Sequence, residues 1–202
     1  MIQRFLIGRD ITDKAVINAF RKVDRRDFVP KEFKDDAYID SPLPIGEGQT
    51  NSQPYIIAKM LQELEIRPED KVLEIGFGCG YTTALLSCMA KKVIATEVHD
   101  VFLKIAKRNL KNIKNIELHI TKKELGYKKQ APYDRIIVNA APSSIPEELV
   151  EQLKENGIMV LPVGLGYFQE LVKVKKANGR ITSERICGCS FVPLILPDNK
   201  NK

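Results

Sequence analysis

The chain has 202 residues, of which 44% are hydrophobic and 29% carry charge, a composition typical of a globular protein. No segment approaches the ~20 apolar residues of a membrane span, and the apolar run within residues 1–10 is too short for a signal peptide. We therefore expect a cytoplasmic protein without a membrane partner. Its four cysteines lack CxxC spacing and its two histidines are isolated, which indicates reduced thiols and no metal site.

The net charge of +6 is concentrated in one part of the chain. Residues 91–130 hold eleven Lys or Arg against four Asp or Glu, a local surplus of seven positive charges. Such a surplus can attract nucleic acid or acidic peptides, but it is more often a solvated helix face. We therefore do not expect nucleic acid as a partner, and we expect a monomer.

The first third of the chain is predicted to form helices joined by irregular segments. Thr12 is a candidate cap for a helix whose apolar positions between 15 and 23 fall on one stripe. Prolines then interrupt the chain until Pro54, which suits the first turn of a second helix that ends at Pro68. Residues 1–68 are thus predicted to be an N-terminal layer of helices that carries a polar loop.

From residue 69 onward, apolar strands alternate with amphipathic helices. The predicted strands cover 71–77, 91–97, 115–120, 134–140, 158–164, 170–177 and 186–195, and the predicted helices cover 81–90, 101–113 and 146–157. Strands that alternate with helices imply a mostly parallel sheet covered on both faces. We therefore predict one α/β domain over residues 1–202, with a doubly wound, Rossmann-like core at 69–202.

Three alternating glycines, Gly76, Gly78 and Gly80, directly follow the first predicted strand of this core. In doubly wound sheets, ligands bind beyond the carboxyl ends of the strands. A dinucleotide-binding loop would need its third glycine at position 81, where the chain has Tyr81, and no Gly-Lys-Ser/Thr follows for a Walker-type phosphate loop. The G-x-G-x-G pattern of this glycine loop (residues 76–80) instead resembles motif I of S-adenosylmethionine-dependent methyltransferases.

Two acidic residues stand beside the glycine loop. Glu97 ends the second strand, 21 residues after Gly76, where a carboxylate can accept hydrogen bonds from both ribose hydroxyls of a nucleoside. The alternative is a solvent-facing carboxylate or a helix cap. Glu74, at the end of the first strand, could meet the amino-acid end of the cofactor, but local bonding to the backbone is equally compatible with the sequence.

Longer stretches of the sequence carry a resemblance that spans nearly the whole chain in the same order. They are AYIDSPLPIGEGQTNSQPYIIAKM, VLEIGFGCGYTTALL, APYDRIIVNAAPSSIPEELVEQLKENGIMVLPVG and FVPLI. Together they closely resemble the protein-L-isoaspartate (D-aspartate) O-methyltransferase family, and the G-Q-T-x-S-Q-P segment is the most family-specific part. The resemblance implies a transferase that methylates L-isoaspartyl residues of damaged proteins with S-adenosyl-L-methionine and leaves S-adenosyl-L-homocysteine.

The resemblance also implies roles for individual residues. In the polar acceptor loop (residues 49–52), Ser52 would be the active-site serine, with Thr50 beside it. Cofactor contacts would come from Gln49, Thr50, Asn51, Ser52, Ile57, Cys79, Glu97 and Val98, in addition to the glycine loop and Glu74. The substrate peptide would contact Ser52, Tyr38, Val192 and Pro193.

The chemistry of the implied reaction suits a neutral, polar loop. An isoaspartyl carboxylate is already an anion near neutral pH, so its attack on a sulfonium methyl group needs no strong base. The main tasks are alignment of the reacting atoms and exclusion of water. The methyl ester then loses methanol to give a succinimide, which hydrolyses in part to normal aspartate.

One position departs from the family pattern. Where the family carries Gly-Asp-Gly to contact the adenine, alignment on Gly126 places Lys122 and Lys123, and an ammonium group cannot accept a hydrogen bond. Glu124 could replace the missing acceptor, or Lys122 could point to solvent while a backbone carbonyl contacts the adenine. The departure leaves two alternatives open: a methyltransferase of the same fold that acts on another substrate such as RNA, and a non-catalytic relative with weakened cofactor binding.

Overall fold

The computed structural model describes residues 1–166 and 168–196. The N-terminal layer contains a π-helical turn at Ile2–Ile7, helix α1 (Lys14–Lys22), 3-10 turns at Arg25–Asp27 and Lys31–Phe33, strands β1 (Leu43–Gly46) and β2 (Gln49–Asn51), and helix α2 (Pro54–Glu63). Strands β1 and β2 pair antiparallel, so the acceptor loop begins as one arm of a small hairpin. None of the described helices is both long and apolar enough to cross a lipid bilayer.

The other strands form one seven-stranded sheet. They are β3 (Lys71–Ile75), β4 (Lys92–Glu97), β5 (Ile116–Ile120), β6 (Tyr133–Val138), β7 (Leu153–Leu165), β8 (Phe168–Ala177) and β9 (Arg180–Cys189). Their spatial order is β5-β4-β3-β6-β7-β8-β9, with parallel pairing from β5 to β7 and antiparallel pairing from β7 to β9. The strand order reverses between β3 and β6, which is where doubly wound sheets place their ligands.

Helices connect the parallel strands: α3 (Tyr81–Ser87), α4 (Asp100–Asn109) and α5 (Glu147–Gln152). Side chains alternate across the sheet, so Val72 belongs to the hydrophobic cluster shared with the N-terminal layer, whereas Leu73 belongs to a second cluster with Leu149 of α5. The sheet is thus covered on both faces. The predicted doubly wound, mostly parallel, Rossmann-like fold with an N-terminal helical layer is confirmed.

Three local predictions differ from the structure. Asp13 rather than Thr12 caps α1, because its carboxylate accepts hydrogen bonds from the N–H groups of Ala15 and Val16. The helix predicted over 146–157 ends at Gln152, because the backbone is extended at Leu153, which pairs with Tyr133 of β6. The last predicted strand ends at Cys189, and the following residues turn back towards the carboxyl ends of the parallel strands.

Candidate active site

A cleft of about 930 Å³, counting the space at its open mouth, lies at the carboxyl ends of the parallel strands. Its walls come from the ends of β3, β4, β5 and β6, from the acceptor loop above them, and from residues 191–195. Residues 191–195 are held at the cleft by hydrogen bonds between Ala141 and the backbone of Val192 and Leu194. The cleft therefore lies at the reversal of strand order, where the sequence predicted a ligand site.

The glycine loop forms the floor of the cleft. Gly76 and Gly78 have φ angles of +80° and +48°, which L side chains rarely adopt. A Cβ atom on Gly78 would also lie 3.0 Å from the Ile45 side chain of β1. The N–H groups of Gly76 and Phe77 both donate to the Thr96 carbonyl, which ties this turn to β4. A larger residue at position 78 would strain the backbone and displace the Ile45 side chain.

The Glu97 carboxylate is fixed by backbone donors at the end of β4. Its Oε1 accepts hydrogen bonds from the N–H groups of Val98 at 2.8 Å and His99 at 3.1 Å, and its Oε2 accepts one from Gly78 at 3.1 Å. The residue is buried but lines the cleft. Each carboxylate oxygen has two lone pairs, so Oε2 can accept a further hydrogen bond from a hydroxyl group in the cleft.

Glu74 lies behind the cleft rather than in its wall. The residue is fully buried and bonds to Thr83 Oγ1 at 2.6 Å and Asn139 Nδ2 at 3.0 Å. Burial raises the pKa of the Glu74 carboxyl to about 8, so the group is protonated at neutral pH. Asn139 lines the cleft and also donates to the Gly76 carbonyl, so Glu74 acts on the cleft through Asn139.

Several buried polar atoms around the cleft lack a hydrogen-bond partner among the described residues. They are Asn51 Nδ2, Tyr81 Oη and His99 Nε2, and all three residues line the cleft. A buried polar atom without a partner carries a desolvation cost. Together with Glu97 and the open glycine loop, these atoms fit a ligand that combines hydroxyl, amine and ring-nitrogen groups, as a nucleoside with an amino-acid tail does.

The structure brings most of the predicted site residues together at the cleft. Those that line it are Gln49, Thr50, Asn51, Ser52, Gly76, Gly78, Cys79, Glu97, Val98, Val192 and Pro193. Five others do not line it. They are Glu74, Ile57, Gly80, Lys122 and Tyr38. Ile57 is buried in the core, and Gly80 directly precedes α3 and lies against Leu110.

Lys122 and Tyr38 are both turned to the outside of the protein. The Lys122 ammonium pairs with the Asp100 carboxylate, and both side chains are more than half exposed. The Tyr38 hydroxyl donates to the Asp24 carboxylate at 2.9 Å. Glu124, considered above as a substitute acceptor, does line the cleft. Lys122 therefore faces solvent, and Glu124 lies where it could serve as the substitute acceptor.

Other residues line the cleft without having been predicted. They include Ile75, Thr121, Leu125 and Asn139. Thr121 and Asn139 immediately follow β5 and β6, so their position after predicted strands was a usable signal. Leu125 has no such signal, because an ordinary core leucine looks the same in the sequence.

Comparisons with known proteins agree with this geometry. The family model described as protein-L-isoaspartate(D-aspartate) O-methyltransferase matches residues 1–199. The chain belongs to this family. Its relatives include the protein-L-isoaspartate O-methyltransferases of Methanoculleus marisnigri, 46% identical over 96% of this chain and 90% of the relative, and of Petrotoga mobilis, 47% identical over 96% and 93%.

A solved structure supports the same assignment. It is a Plasmodium falciparum protein described as a protein-L-isoaspartate O-methyltransferase in complex with S-adenosyl-L-homocysteine, with a TM-score of 0.82 and 27% identity over 96% of both chains. Membership of the protein-L-isoaspartate O-methyltransferase family makes this chain a methyltransferase that acts on isoaspartyl residues. The resemblance inferred from its motifs is confirmed.

Proposed function

We propose that this protein methylates the side-branch carboxylate of L-isoaspartyl residues in the cleft, with the glycine loop on the cofactor side and the acceptor loop on the substrate side. The arrangement that supports this most directly is the meeting of Ser52, Gly78 and Glu97 in one cleft. The methyl ester product closes to a succinimide without further help, which starts the return to normal aspartate.

The cofactor side is assigned to residues that offer fixed polar groups. When bound, S-adenosyl-L-methionine supplies the electrophilic methyl group. The Glu97 carboxylate would accept hydrogen bonds from its ribose hydroxyls. The cofactor would lie over Gly76 and Gly78, where no side chain intervenes, beside Cys79 and Val98. Burial raises the pKa of the Cys79 thiol to about 11, so it presents a small neutral side chain and not a competing thiolate nucleophile.

The substrate side is assigned to the acceptor loop and residues 191–195. Ser52 would donate its hydroxyl to the isoaspartyl carboxylate and orient one oxygen for attack, with Thr50 beside it. Val192 and Pro193 would contact the peptide, since they form the wall next to the acceptor loop. Tyr38 is exposed and does not line the cleft, so its proposed contact would be with substrate residues outside it.

The charges around the cleft match a carboxylate nucleophile. Among the described residues that line it, there is no lysine or arginine. A direct ion pair would lower the nucleophilicity of the substrate carboxylate, whereas neutral hydroxyl and N–H donors orient it without that loss. No general base is needed, because the isoaspartyl carboxyl is ionised near neutral pH.

The same-fold alternative, an RNA methyltransferase, has less support. Several lysines of the basic region are paired with carboxylates, including Lys91 with Glu69 and Lys92 with Glu117. The chain that carries the acceptor loop, in turn, belongs to a family that acts on isoaspartyl proteins. A non-catalytic role has no specific support, because the cleft has the polar groups that a cofactor requires.

The Ser52→Ala variant tests the proposed role of the acceptor loop. We expect kcat for an isoaspartyl peptide to fall about 100-fold, because a reacting carboxylate misplaced by about 1 Å loses roughly that factor. Affinity for S-adenosyl-L-homocysteine should change much less. The control is Ser143→Ala, an exposed serine that does not line the cleft. Equal rates in parent and Ser52→Ala would remove Ser52 from the mechanism.

We further propose that residues 1–202 act as one domain and as a monomer in the cytoplasm. Leu6 and Phe20 of the N-terminal layer share one hydrophobic cluster with Val160 and Leu171 of the sheet, so the two parts should unfold together. Light scattering that gives the mass of one chain, and a single cooperative melting transition, would support this. A stable dimer or two separate transitions would contradict it.

A further inference from the structure

Arg25 has a fully buried guanidinium group that the cleft chemistry above does not use. It lies in the 3-10 turn after α1 and is completely shielded from solvent. Its two terminal nitrogens, with four N–H groups, lie within hydrogen-bond distance of five backbone carbonyls, so at least one N–H is shared between two acceptors. The acceptors are the carbonyls of Ala37 at 3.3 Å, Ile39 at 3.1 Å, and Ser41, Asn51 and Ser52 at 3.0 Å each.

This cation is neutralised by carbonyl dipoles rather than by a carboxylate. Among the described residues, no Asp or Glu oxygen lies within 4.0 Å of the Arg25 nitrogens. Burial lowers the pKa of Arg25, but a guanidinium remains charged near neutral pH. A buried cation is costly unless its donors are satisfied, and since Arg25 Nε has no hydrogen-bond partner among the described residues, the carbonyls around the two terminal nitrogens supply all of its hydrogen bonds. The five carbonyls must therefore keep their orientation towards Arg25.

The five carbonyls belong to two segments of the chain. Three lie in residues 37–41, which carry Tyr38, and two belong to Asn51 and Ser52 of the acceptor loop. In a planar trans peptide, the C=O and the following N–H point in opposite directions. Since the Asn51 carbonyl points to Arg25, the N–H of Ser52 points away from it. Outside the β1–β2 ladder, this N–H forms no hydrogen bond with described residues.

A second contact fixes the far end of the same loop. The Asp40 carboxylate accepts hydrogen bonds from Gln53 Nε2 at 2.8 Å and from the Tyr55 N–H at 2.9 Å. The loop is therefore held on both sides, by Arg25 through its carbonyls and by Asp40 at the start of α2. Ser52 lies between these two contacts and lines the cleft, whereas Arg25 does not.

We propose that Arg25 is a positioning residue for methyl transfer: it fixes the Asn51 and Ser52 peptide groups, and thereby the place of the Ser52 hydroxyl and N–H relative to the substrate carboxylate. The proposal rests on the function proposed above for Ser52. Arg25 stays behind the loop, so its positive charge favours an anion in the cleft without a direct ion pair. Without the guanidinium, the Ser52 hydroxyl and N–H should shift relative to the substrate carboxylate. The loss of kcat should therefore be larger than the loss of cofactor affinity.

Three variants test this proposal: Arg25→Met, Arg25→Lys and, as a matched control, Arg135→Lys. Arg135 is also buried and also donates to backbone carbonyls, those of Glu65 and Asp134, but it lies outside the cleft. All three are expected to lower Tm, so kcat and KM for an isoaspartyl peptide are measured well below each Tm. A purely structural role would change Tm without changing kcat.

The expected result is a selective loss of kcat. Misplacement of reacting groups by about 1 Å costs roughly 100-fold, so Arg25→Met should lose about that factor. Arg25→Lys, with three donors and the charge retained, should recover part of it. Affinity for S-adenosyl-L-homocysteine should fall much less than kcat, because Glu97 and the glycine loop are untouched and only the contacts expected from the acceptor loop are disturbed. The control should keep the parent kcat.

Hydrogen–deuterium exchange of residues 43–54 adds a second readout that does not require Arg25→Met to fold. Exchange there should rise in Arg25→Lys and stay at the parent level in Arg135→Lys. Parent-like kcat and exchange in Arg25→Lys would overturn the proposal. If Ser52→Ala loses activity while Arg25→Lys does not, only the positioning role fails. If Ser52→Ala is fully active, the function proposed for Ser52 fails instead.

Discussion

The backbone N–H of Gly78 donates a hydrogen bond to the Glu97 carboxylate, with 3.1 Å between nitrogen and Oε2. This bond joins the loop after β3 to the end of β4, the two places where the sequence predicted cofactor contacts. Glu97 therefore has two tasks: it holds the glycine loop in place, and it offers a free lone pair to a hydroxyl in the cleft.

We predict that Glu97→Gln weakens S-adenosyl-L-homocysteine binding about 10- to 100-fold, because a hydrogen bond to a charged group contributes about 1.5–3 kcal/mol. The amide has only one oxygen, so it cannot accept from Gly78, Val98 and His99 together. Isothermal titration calorimetry measures the dissociation constant directly.

The control for this prediction is Glu117→Gln. Glu117 lies on β5 outside the cleft, and its carboxylate bonds to Lys92 and Gln130. Its substitution should leave cofactor affinity at the parent level. Parent-like affinity in Glu97→Gln would show that this carboxylate is not part of the cofactor site.

A second prediction concerns the position where the family pattern fails. Lys122 faces Asp100 at the surface, whereas Glu124 lines the cleft. By alignment alone, Lys122→Asp would restore the acceptor of the family pattern and tighten cofactor binding. From the structure we instead expect Lys122→Ala to leave the affinity within about twofold, since exposed ion pairs contribute little.

Glu124 provides the matched comparison. Glu124→Ala removes an acceptor from the cleft and should weaken S-adenosyl-L-homocysteine binding about 5- to 100-fold, whereas Glu124→Gln retains an acceptor and should lose less. Calorimetry on the three variants ranks them. A large loss of affinity in Lys122→Ala, with none in Glu124→Ala, would mean that Lys122 and not Glu124 contacts the cofactor.

The third prediction is a pH dependence that arises from Glu74. Burial raises the pKa of its carboxyl from the ordinary 4.5 to about 8. Between these values the folded protein keeps the proton while the unfolded chain releases it, so the free energy of unfolding falls as pH rises from 4.5 to about 8. Glu74→Gln removes this contribution, and Thr83 and Asn139 can both bond to the amide.

The measurement is Tm at about pH 5 and about pH 8 for parent and variant. From the lower to the higher pH, the Tm of the parent should fall further than the Tm of Glu74→Gln. Glu117→Gln again serves as control, because Lys92 lowers the pKa of Glu117 from 4.5 to about 2. Protonation of Glu117 therefore changes the free energy of unfolding only at pH values below 4.5. Identical changes in parent and Glu74→Gln would mean that Glu74 does not keep its proton in the folded state.

The sequence predicted those parts of the site that follow directly from strand periodicity. Gly76, Gly78 and Glu97 come immediately after buried strands, and parallel strands bring their carboxyl ends to one edge, so their meeting could be expected. The acceptor loop was predicted from the family resemblance alone. Its contact with the cleft depends on how the N-terminal layer packs, which no local pattern specifies.

Other features depend on tertiary contacts that the sequence does not encode locally. Arg25 and Arg26 are adjacent in the chain, yet only Arg25 is buried, because only its side chain reaches the carbonyls of the acceptor loop. The early end of α5 likewise depends on a tertiary contact, the pairing of Leu153 with Tyr133 of β6. Lys122 was assigned to the cofactor by alignment, whereas the structure pairs it with Asp100.

Methyl transfer to a pair of synthetic peptides tests the central claim most directly. The peptides have one sequence and differ only in whether a single residue is L-isoaspartyl or normal L-aspartyl. With labelled S-adenosyl-L-methionine, we predict base-labile methyl ester on the isoaspartyl peptide and none above background on its aspartyl twin. Equal labelling of both peptides, or labelling of RNA with neither peptide modified, would contradict the account.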